Sequence, residues 1–374
     1  MKSEIDTDGF LISLPNTLGI ELELQLIDPF SRNLVPAAPR LLESLVNHKF
    51  ASQVKPEITT EMIEVNSSIH VDPRGLLLEM HEIRDSLCKE ALKIGIELSG
   101  GGIHPFARWQ NFNISSSSWC QHLEMKYGYL ARKNTVFGLH VHVGVTSGDE
   151  SIALTRKLLP YIPHLIALSA SSPFFEGVDT AYDSCRPHGF GIAPTTGYLP
   201  ENITTWREYK SHISFLMANG WISSQKELYW DIRPKEEFGT VEIRICDTPL
   251  TIERACQVAA FCQALCLFVA EQPDPGPITW IAYNHNYFQA SRFGLDGSYL
   301  GSDGKSVNLR DHLYGVFEAI SPIASRFRST NLINSLWSAI KSDGNDSAWL
   351  RRHYKRTNDL AAVVACSAEL FRGE

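Results

Sequence analysis

The sequence predicts an α+β fold in which one β-sheet has its apolar face under helices and its polar face open as a site. Strand-like alternation of polar and apolar residues recurs in three separate segments: 17–28, 136–145 and 240–246. In each segment two ionisable residues lie one residue apart on the polar face, which favours a single shared sheet. Helical spacing is common elsewhere, and residues 309–371 are mostly amphipathic helix by this criterion.

Length, composition and charge limit the class of protein. The 374 residues are 44% hydrophobic and 20% charged, as in a globular protein with a full core. No repeat, low-complexity run or flexible linker interrupts them, so we expect a single domain over residues 1–374. The net charge of −8 argues against nucleic acid or an anionic membrane as a partner.

The N-terminus and the cysteines predict a cytoplasmic protein. The first ten residues carry acidic groups and no apolar core, unlike a signal peptide. The most apolar run, 255–270, contains two glutamines and is shorter than a membrane span, so we expect a buried helix there. None of the eight cysteines forms a CxxC pair. Reduced, buried thiols are therefore expected rather than disulfides or a zinc site.

The first strand brings two carboxylates together. In the segment 17–28, alternation places four apolar residues on one face and Glu21, Glu23 and Gln25 on the other. After a loop, a short helix is expected at 39–48. Adjacent like charges on a plain solvent face would carry no meaning, so the significance of Glu21 and Glu23 depends on the rest of the chain.

A second polar–apolar segment, 54–70, adds Glu57 and Glu64 as candidate site carboxylates. Glu61 lies between them and is expected to face solvent. Asp72 and the proline that follows it are typical of a helix start, because an acidic cap precedes a proline in the first turn.

The glycine-rich stretch 99–102 lacks the lysine of a Walker A loop, and we expect a tight turn that leads into a strand at 103–106. A helix is expected at 127–134. The strand 136–145 then places His140 and His142 on one face and apolar residues on the other.

A helix over 152–171 should be broken or kinked by its two prolines. The segment 172–200 that follows is long, aperiodic and rich in Pro, Gly, Asp and aromatic residues, which is typical of a binding loop. Its side chains suited to grip a polar small molecule are Asp179, Thr180, Tyr182, Ser184 and Arg186.

Two further strands are expected at 228–233 and 240–246, joined by a turn at 234–239. In the second of these, Glu242 and Arg244 share the polar face. Thr251 is expected to cap the buried helix. Beyond it, a cluster of Tyr, Asn and His with Arg292 occupies 281–297.

The three polar pairs, Glu21/Glu23, His140/His142 and Glu242/Arg244, indicate a site for cations on one sheet face. Carboxylates gathered together repel one another unless cations neutralise them, and hard oxygen-rich sites suit Mg²⁺ or Mn²⁺ with nucleotide phosphates. The histidine pair also fits a zinc hydrolase, or two core histidines satisfied by hydrogen bonds.

Several segments together resemble the YbdK-type carboxylate–amine ligases of the glutamate–cysteine ligase type 2 family. They occur in the family's order over about 17–297, whereas the C-terminal helical part, 309–371, is less diagnostic. The segments are TLGIELELQLID, VKPEITTEMIEV, GGGIHPF, VFGLHVHVG, LIALSASSPFFEGVDTAYDSCRP, DIRPKEEFGTVEIRICDTPLT and FQASRFGLDG.

The resemblance implies a glutamine-synthetase-like fold, with a curved and mainly antiparallel sheet that forms a funnel and helices outside it. It also implies ATP-dependent joining of a carboxylate to an amine through an acyl phosphate, with Mg²⁺ or Mn²⁺ and with ATP as co-substrate. Within the family the substrates are L-glutamate and L-cysteine, and a homodimer is expected. Phosphoryl transfer of this kind depends mainly on positioning and charge.

By motif, the resemblance implies a set of metal ligands: Glu21, Glu23, Glu57, Glu64, His140 and Glu242. It implies that Arg244 contacts the phosphoryl group, with Glu242 and Arg292 also counted as catalytic. Binding of substrate or ATP is assigned to Arg186, Thr180, Tyr182 and His142.

Nothing in these residues specifies cysteine as the acceptor. A ligase with another amine or carboxylate is the first alternative. A metal-dependent hydrolase and a non-catalytic relative that binds nucleotide or amino acid are the others.

Overall fold

The computed structural model describes residues 4–5, 9–190 and 195–374. Its strands are β1 (Glu4–Ile5), β2 (Leu11–Ile12), β3 (Leu18–Ile27), β4 (Val54–Pro56), β5 (Met62–Asn66), β6 (Glu97–Ser99), β7 (Gly138–Gly144), β8 (Phe174–Phe175), β9 (Val178–Asp179), β10 (Thr196–Gly197), β11 (Tyr229–Trp230), β12 (Ile232–Lys235), β13 (Thr240–Asp247), β14 (Ser298–Leu300) and β15 (Ser306–Asn308).

The α-helices are α1 (Ala38–Ser44), α2 (Pro73–Lys93), α3 (Ser118–Tyr127), α4 (Tyr129–Lys133), α5 (Gly148–Leu158), α6 (Ile162–Ser169), α7 (Arg186–Phe190), α8 (Trp206–Ala218), α9 (Ile252–Ala270), α10 (Trp280–Phe293), α11 (Leu309–Arg326), α12 (Thr330–Ser342), α13 (Asp346–Thr357) and α14 (Leu360–Arg372).

One seven-stranded sheet dominates the architecture, in the order β12-β13-β7-β3-β5-β4 with β6 also paired to β3. Every pair in it is antiparallel. The three segments with paired ionisable residues become β3, β7 and β13, which lie side by side. The structure therefore confirms the α+β fold and the shared sheet.

The apolar face of this sheet packs under helices. The inward residues of β3 and β7, among them Leu22, Leu24, Leu139 and Val141, are at most 2% exposed. Helices α2 and α9 cover them and contact each other. Thr251 accepts a hydrogen bond from the Arg254 backbone N–H, which caps α9 as expected.

Helix α9 contains the apolar run 255–270. Among the described residues it is the one helix long and apolar enough to cross a membrane, and 72% of that window is buried inside the protein. It packs against α2, α5, α11 and α12, so its apolar character is that of a core helix. All eight cysteines are free thiols.

The helix boundaries follow the sequence signals closely. Asp72 accepts from the Arg74 N–H at the start of α2. The predicted break near Pro160 and Pro163 is a 3-10 turn at Leu159–Tyr161 between α5 and α6. The C-terminal helices α11 to α14 confirm the amphipathic pattern of residues 309–371.

The prediction of a strand at 103–106 is wrong. Residues 103–106 form no strand, and the strand of this region, β6, precedes the glycines instead of following them. Gly101 has a φ of +101°, and its carbonyl accepts from the Gln25 side chain. The glycines therefore turn the chain away from the sheet edge rather than towards another strand.

Candidate active site

A row of polar side chains, the carboxylate row, crosses the open face of the sheet because antiparallel register sets these side chains opposite one another. Glu23 pairs with Glu64 of β5, and Glu21 pairs with His140 of β7. On the next strands His142 lies opposite Glu242, and Glu242 lies opposite Arg233 of β12. Alternation within each strand keeps all of these side chains on the face away from the core.

Glu21 lies between the two histidines. Its carboxylate is 3.0 Å from His140 Nδ1 and 3.3 Å from His142 Nε2. Burial alone would raise the pKa of Glu21, but hydrogen bonds from His140 and His142 lower it well below its usual range. Glu21 is therefore ionised at neutral pH.

His140 carries one open nitrogen. Its Nδ1 is hydrogen-bonded to Glu21, and its pKa is lowered by burial and by the charge of Arg244. A neutral ring that donates from Nδ1 leaves the Nε2 lone pair available. This Nε2 is buried and has no hydrogen-bond partner among the described residues.

Three carboxylates crowd together at the other end of the row. Glu57, just after β4, offers an oxygen that lies within 4.8 Å of oxygens from Glu23 and Glu64. Burial, then the charge of Glu23, raises the pKa of Glu57 to about 7. Burial and the charge of Glu57 raise the pKa of Glu64 well above its usual value. This cluster has more negative charge than its protein partners neutralise.

The donor set fits divalent cations. Three groups place their ligand atoms within 4.8 Å of one another: Glu21/Glu64/His140, Glu21/His142/Glu242 and Glu23/Glu57/Glu64. Carboxylate oxygens with one or two imidazoles suit Mg²⁺ or Mn²⁺. The unpartnered Nε2 atom of His140 and the raised pKa values of Glu57 and Glu64 are the signs expected of a site built for a cation.

Glu242 is bound from both sides by arginine. Its Oε2 accepts from Arg233 Nε at 2.6 Å, and its Oε1 accepts from Arg244 Nη1 at 2.5 Å. Although burial would raise the pKa of Glu242, the charges of Arg233 and Arg244 lower it well below its usual range. The hydrogen bond between Glu242 and Arg244 holds the Arg244 guanidinium next to the carboxylate row, so Glu242 also positions Arg244.

Arg186 lies close to the same row. Its Nη1 donates to the carbonyls of Arg244 and Ile245, and its Nε has no partner among the described residues. Gly138 makes room for it, because a Cβ at that position would overlap the guanidinium. The Arg186 guanidinium therefore occupies space that is free because residue 138 is a glycine.

Arg186 and Arg244 also border a cavity of about 620 Å³. Helix α10, the β10–β11 region and the start of α7 supply its other walls, which are rich in aromatic rings. Those aromatic residues are Tyr198, Tyr229, Trp230, Trp280, Tyr283, Tyr287 and Phe288. The cavity is thus lined both by two arginines and by a set of aromatic rings.

The described lining of the cavity includes one acidic side chain, Asp231. The Tyr283 hydroxyl donates to Asp231 Oδ2. Burial raises the pKa of Asp231 to about 7, although the Tyr283 hydrogen bond and the charges of Arg186 and Arg244 lower it.

Three of the residues predicted to act in binding or catalysis are not part of the lining of this cavity. Thr180 donates to the Pro173 carbonyl, and Arg292 donates to the Ala181 carbonyl and lies over the Tyr182 ring. Tyr182 packs behind the wall, edge-on to Phe288. The structure does not bring them together with the carboxylate row.

The remaining polar residues of the segment 172–200 hold it in place. Asp179 pairs with Arg351 of α13 at 2.9 Å. Ser184 donates to the buried Asp247 at the end of β13. Of the five candidates in this segment, Arg186 alone lines the cavity, and residues 191–194 lie outside the described part of the chain.

The expectation that Glu61 faces solvent is wrong. Glu61 is 1% exposed and accepts hydrogen bonds from the backbone and side-chain amides of Asn113. These bonds offset the burial of its carboxylate and fix the loop between β4 and β5. Glu61 therefore helps to hold Glu57 and Glu64 in position without joining the cluster.

Sequence reasoning missed Arg233, Asp231 and the tyrosine wall. Arg233 and Asp231 occur in the same DIRP stretch at two-residue spacing, so the alternation rule that found Glu242 could have found them. Tyr283 and Tyr287 lie in the 281–297 cluster, but helical spacing alone did not show which wall they form.

Comparisons with known proteins identify a family for this chain. A family model described as glutamate–cysteine ligase family 2 matches residues 17–365. A protein of Bordetella petrii is 53% identical over 98% of this chain and 88% of its own length, and one of Bordetella avium is 52% identical over 98% and 91%. Both are provisionally named glutamate–cysteine ligase 2.

Two solved structures share the fold at low sequence identity. A glutamate–cysteine ligase of Francisella tularensis, solved in complex with AMP, aligns with a TM-score of 0.71 at 13% identity, over 97% of this chain and 90% of that one. A bifunctional glutathione synthetase of Pasteurella multocida aligns with a TM-score of 0.73 at 12% identity, over 96% of this chain and 52% of that one.

Proposed function

This chain belongs to glutamate–cysteine ligase family 2 and is an ATP-dependent ligase, and we propose that it joins L-glutamate to L-cysteine through an acyl phosphate. The alternative with the same chemistry is another amine or carboxylate in place of one of these substrates. Family membership and the names of its relatives support the choice of substrates, and the residues of the site support the type of reaction.

One observation carries the proposal. The carboxylate row lies beside two arginines, and these arginines also line a cavity large enough for a small substrate. Phosphoryl transfer requires cations around the nucleotide phosphates and a fixed positive group at the phosphoryl being transferred. The carboxylate row can hold the first, and Arg244 with Arg186 supplies the second.

We assign the metal ligands to Glu21, Glu23, Glu57, Glu64, His140 and Glu242, with His142 completing the lining. Bound Mg²⁺ or Mn²⁺ would neutralise the negative charge of the triphosphate. The protein itself orients these groups: Glu21 holds the His140 ring with Nε2 directed away from the shared hydrogen bond, and Glu61 fixes the loop that carries Glu57.

The protein residues then act by position and charge. Glu242 and Arg233 hold the Arg244 guanidinium, which we assign to the oxygens of the transferred phosphoryl group. The substrate carboxylate attacks the γ-phosphate of ATP, ADP leaves, and an acyl phosphate forms. The amine then attacks the acyl carbon and displaces phosphate, which gives the amide. Arg186 is assigned to the substrate carboxylate or the phosphates.

Three broader statements complete the proposal. We place the catalytic machinery in a single domain over residues 1–374. We propose a cytoplasmic location, which the eight free thiols favour. We also propose a homodimer on the basis of family membership, to be checked by sedimentation equilibrium of the purified protein.

The test is ADP release from purified protein with MgATP and L-glutamate, a panel of amines that includes L-cysteine, and hydroxylamine as a trap. Glutamate-dependent ADP release with hydroxamate formation is the expected result, and the best amine identifies the acceptor. ATP-dependent hydroxamate from another carboxylate alone would replace glutamate and keep the reaction type. No ADP release with any carboxylate, in Mg²⁺ or Mn²⁺, would overturn the proposal.

A further inference from the structure

Asp231 is the acidic group among the described residues that line the cavity, and both its N–H and its carbonyl make backbone hydrogen bonds. Its N–H donates to the Gly197 carbonyl at 2.8 Å, and its own carbonyl accepts from the Arg244 N–H at 2.8 Å. The second bond places the Asp231 side chain next to the strand that carries Arg244. The carboxyl group is therefore positioned by the sheet although it lines the cavity.

The Asp231 carboxyl group has few hydrogen-bond donors near it among the described residues. Among the described residues the Tyr283 hydroxyl is its one hydrogen-bond donor, and no Lys, Arg or His nitrogen lies within 4.0 Å. The buried Asp247 shows what a structural carboxylate looks like here. Asp247 accepts from the Ser171 backbone and from the hydroxyls of Ser172 and Ser184.

Asp231 shares the cavity lining with aromatic rings, whereas Asp247 is bound by hydroxyl groups. The Tyr198 and Tyr283 rings are 4.0 Å apart between centroids, and the Tyr283 and Tyr287 rings are 5.7 Å apart. Trp230 precedes Asp231 directly and also lines the cavity. A carboxylate among aromatic faces is suited to an ammonium group, because ring faces attract cations and the carboxylate accepts their N–H bonds.

The cavity lining therefore carries groups of both charges. Arg186 and Arg244 suit an anion beside the carboxylate row, and Asp231 with the tyrosines suits a cation next to it. An amine substrate reaches the enzyme as an ammonium ion, which must lose a proton before its nitrogen can attack.

We propose that Asp231 is a catalytic residue that binds the ammonium group of the amine substrate and accepts its proton before attack on the acyl phosphate. This inference rests on the proposed function. One proton passes from the ammonium nitrogen to Asp231. The free amine forms the C–N bond as the bond between the acyl carbon and the phosphate oxygen breaks, and the second proton leaves with the phosphate as hydrogen phosphate.

The same carboxyl group is suited to hold that proton for part of the cycle. Burial raises the pKa of Asp231 to about 7, close to neutral pH, where a general base works best. Tyr283, which donates to Oδ2, is a positioning residue in this scheme.

The test compares two nucleophiles with one variant. L-cysteine arrives as an ammonium ion, whereas hydroxylamine is mostly uncharged at neutral pH and needs no base before attack. Asp231→Asn keeps the shape of the side chain and can still accept from Tyr283. Asp303→Asn, at an exposed carboxyl between β14 and β15, is the matched control.

For Asp231→Asn we expect the L-cysteine rate to fall about 100-fold at neutral pH and to recover as pH rises, because the free amine then becomes abundant. The hydroxamate rate should fall less than about threefold, since ATP use and acyl phosphate formation do not need the base. In an Asp231→Ala variant, added formate should restore part of the L-cysteine rate.

Equal losses with both nucleophiles, or an unchanged L-cysteine rate, would overturn the role of Asp231. Failure of formate to rescue a folded Asp231→Ala variant would do the same. If the wild-type protein forms no hydroxamate with any carboxylate, the proposed function itself fails and the inference fails with it. If the wild type accepts hydroxylamine and a primary amine other than L-cysteine, that amine replaces L-cysteine in the comparison.

Discussion

The carboxylate row and the cavity lie next to each other, but they are formed by different kinds of structural element. Glu21, His140 and Glu242 stand on adjacent antiparallel strands, where register fixes each relative to the next. The cavity takes its walls from α10, the start of α7 and the β10–β11 region, which come from distant parts of the chain. Arg244 belongs to both, since it pairs with Glu242 and lines the cavity.

The difference separates two chemical tasks. Phosphoryl chemistry tolerates little displacement of charge, and a hydrogen-bonded sheet with a buried apolar face supplies that rigidity. The cavity wall consists of side chains on a helix and on connecting segments, so it can change without altering the hydrogen-bond ladder of the sheet. The predictions below test whether the two regions can be damaged separately.

The largest effect is expected where a change removes the charge at the centre of the row. Glu21→Gln keeps the shape of the side chain but removes the carboxylate that both histidines approach. ADP release with L-glutamate should fall about 10³-fold for every nucleophile, including hydroxylamine. Mn²⁺ binding, followed by electron paramagnetic resonance, should weaken in parallel.

Glu43→Gln is the matched control, because Glu43 is exposed and the same amide replaces the same acid. Near-normal turnover in Glu21→Gln would contradict the assignment of the row to metal binding.

The next effect is expected at the junction of the two regions. Arg244→Lys retains a positive charge but loses the planar fork that Glu242 holds. We expect about a 100-fold loss of both amide and hydroxamate formation, measured by ADP release. Arg207→Lys, at an exposed position, should be silent. A loss confined to one nucleophile would place Arg244 in the cavity alone.

The pH dependence of stability, with and without Mg²⁺, should also test the carboxylate row separately from the cavity. The pKa of Glu57 is raised from 4.5 to about 7 by burial and the charge of Glu23, and that of Glu64 is raised well above its usual value by burial and the charge of Glu57, so each is disfavoured when ionised in the folded protein. Without metal, the stability that Glu57 contributes is present below about pH 4.5 and is lost as pH rises through about 7.

Mg²⁺ favours the ionised forms, so it should raise the unfolding temperature by about 5 °C at about pH 8 and by much less near pH 6. Differential scanning fluorimetry at both pH values, with EDTA as the reference, measures this difference. Equal stabilisation at the two pH values would mean that cations bind elsewhere.

A smaller and selective effect is expected inside the cavity. Tyr283→Phe keeps the ring that packs on Tyr198 but removes the hydroxyl that donates to Asp231. Loss of one such hydrogen bond corresponds to about a fivefold effect, and we expect it in amide formation with little change in hydroxamate formation. A loss shared equally by the two products would show that the cavity is not independent of the row.

The smallest effect is expected behind the cavity wall. Arg292 donates to the Ala181 carbonyl and stacks near Tyr182 and Phe293, and it does not line the cavity. Arg292→Gln should change steady-state rates by less than about twofold, as is usual away from the reacting groups. A large loss of kcat with normal folding would return Arg292 to the catalytic set.

Much of the row could be predicted from sequence because strands follow a simple rule. Side chains alternate with a period of two, so Glu21 and Glu23, or His140 and His142, must share a face whatever their neighbours are. The motifs also indicated the family, which the match over residues 17–365 confirms. The segment 172–200 was read by composition alone, and there the prediction placed five candidates where the structure brings one to the cavity.

The sequence by itself determined the α+β class, the helix caps at Asp72 and Thr251, and the polar pairs on three strands, since each depends on local spacing and local hydrogen bonds. Only the tertiary structure decided which strands are neighbours, that Glu61 is buried, and that Asp231 meets Tyr283 of a helix 52 residues later. Such contacts depend on packing between distant segments, and no periodicity along the chain encodes them.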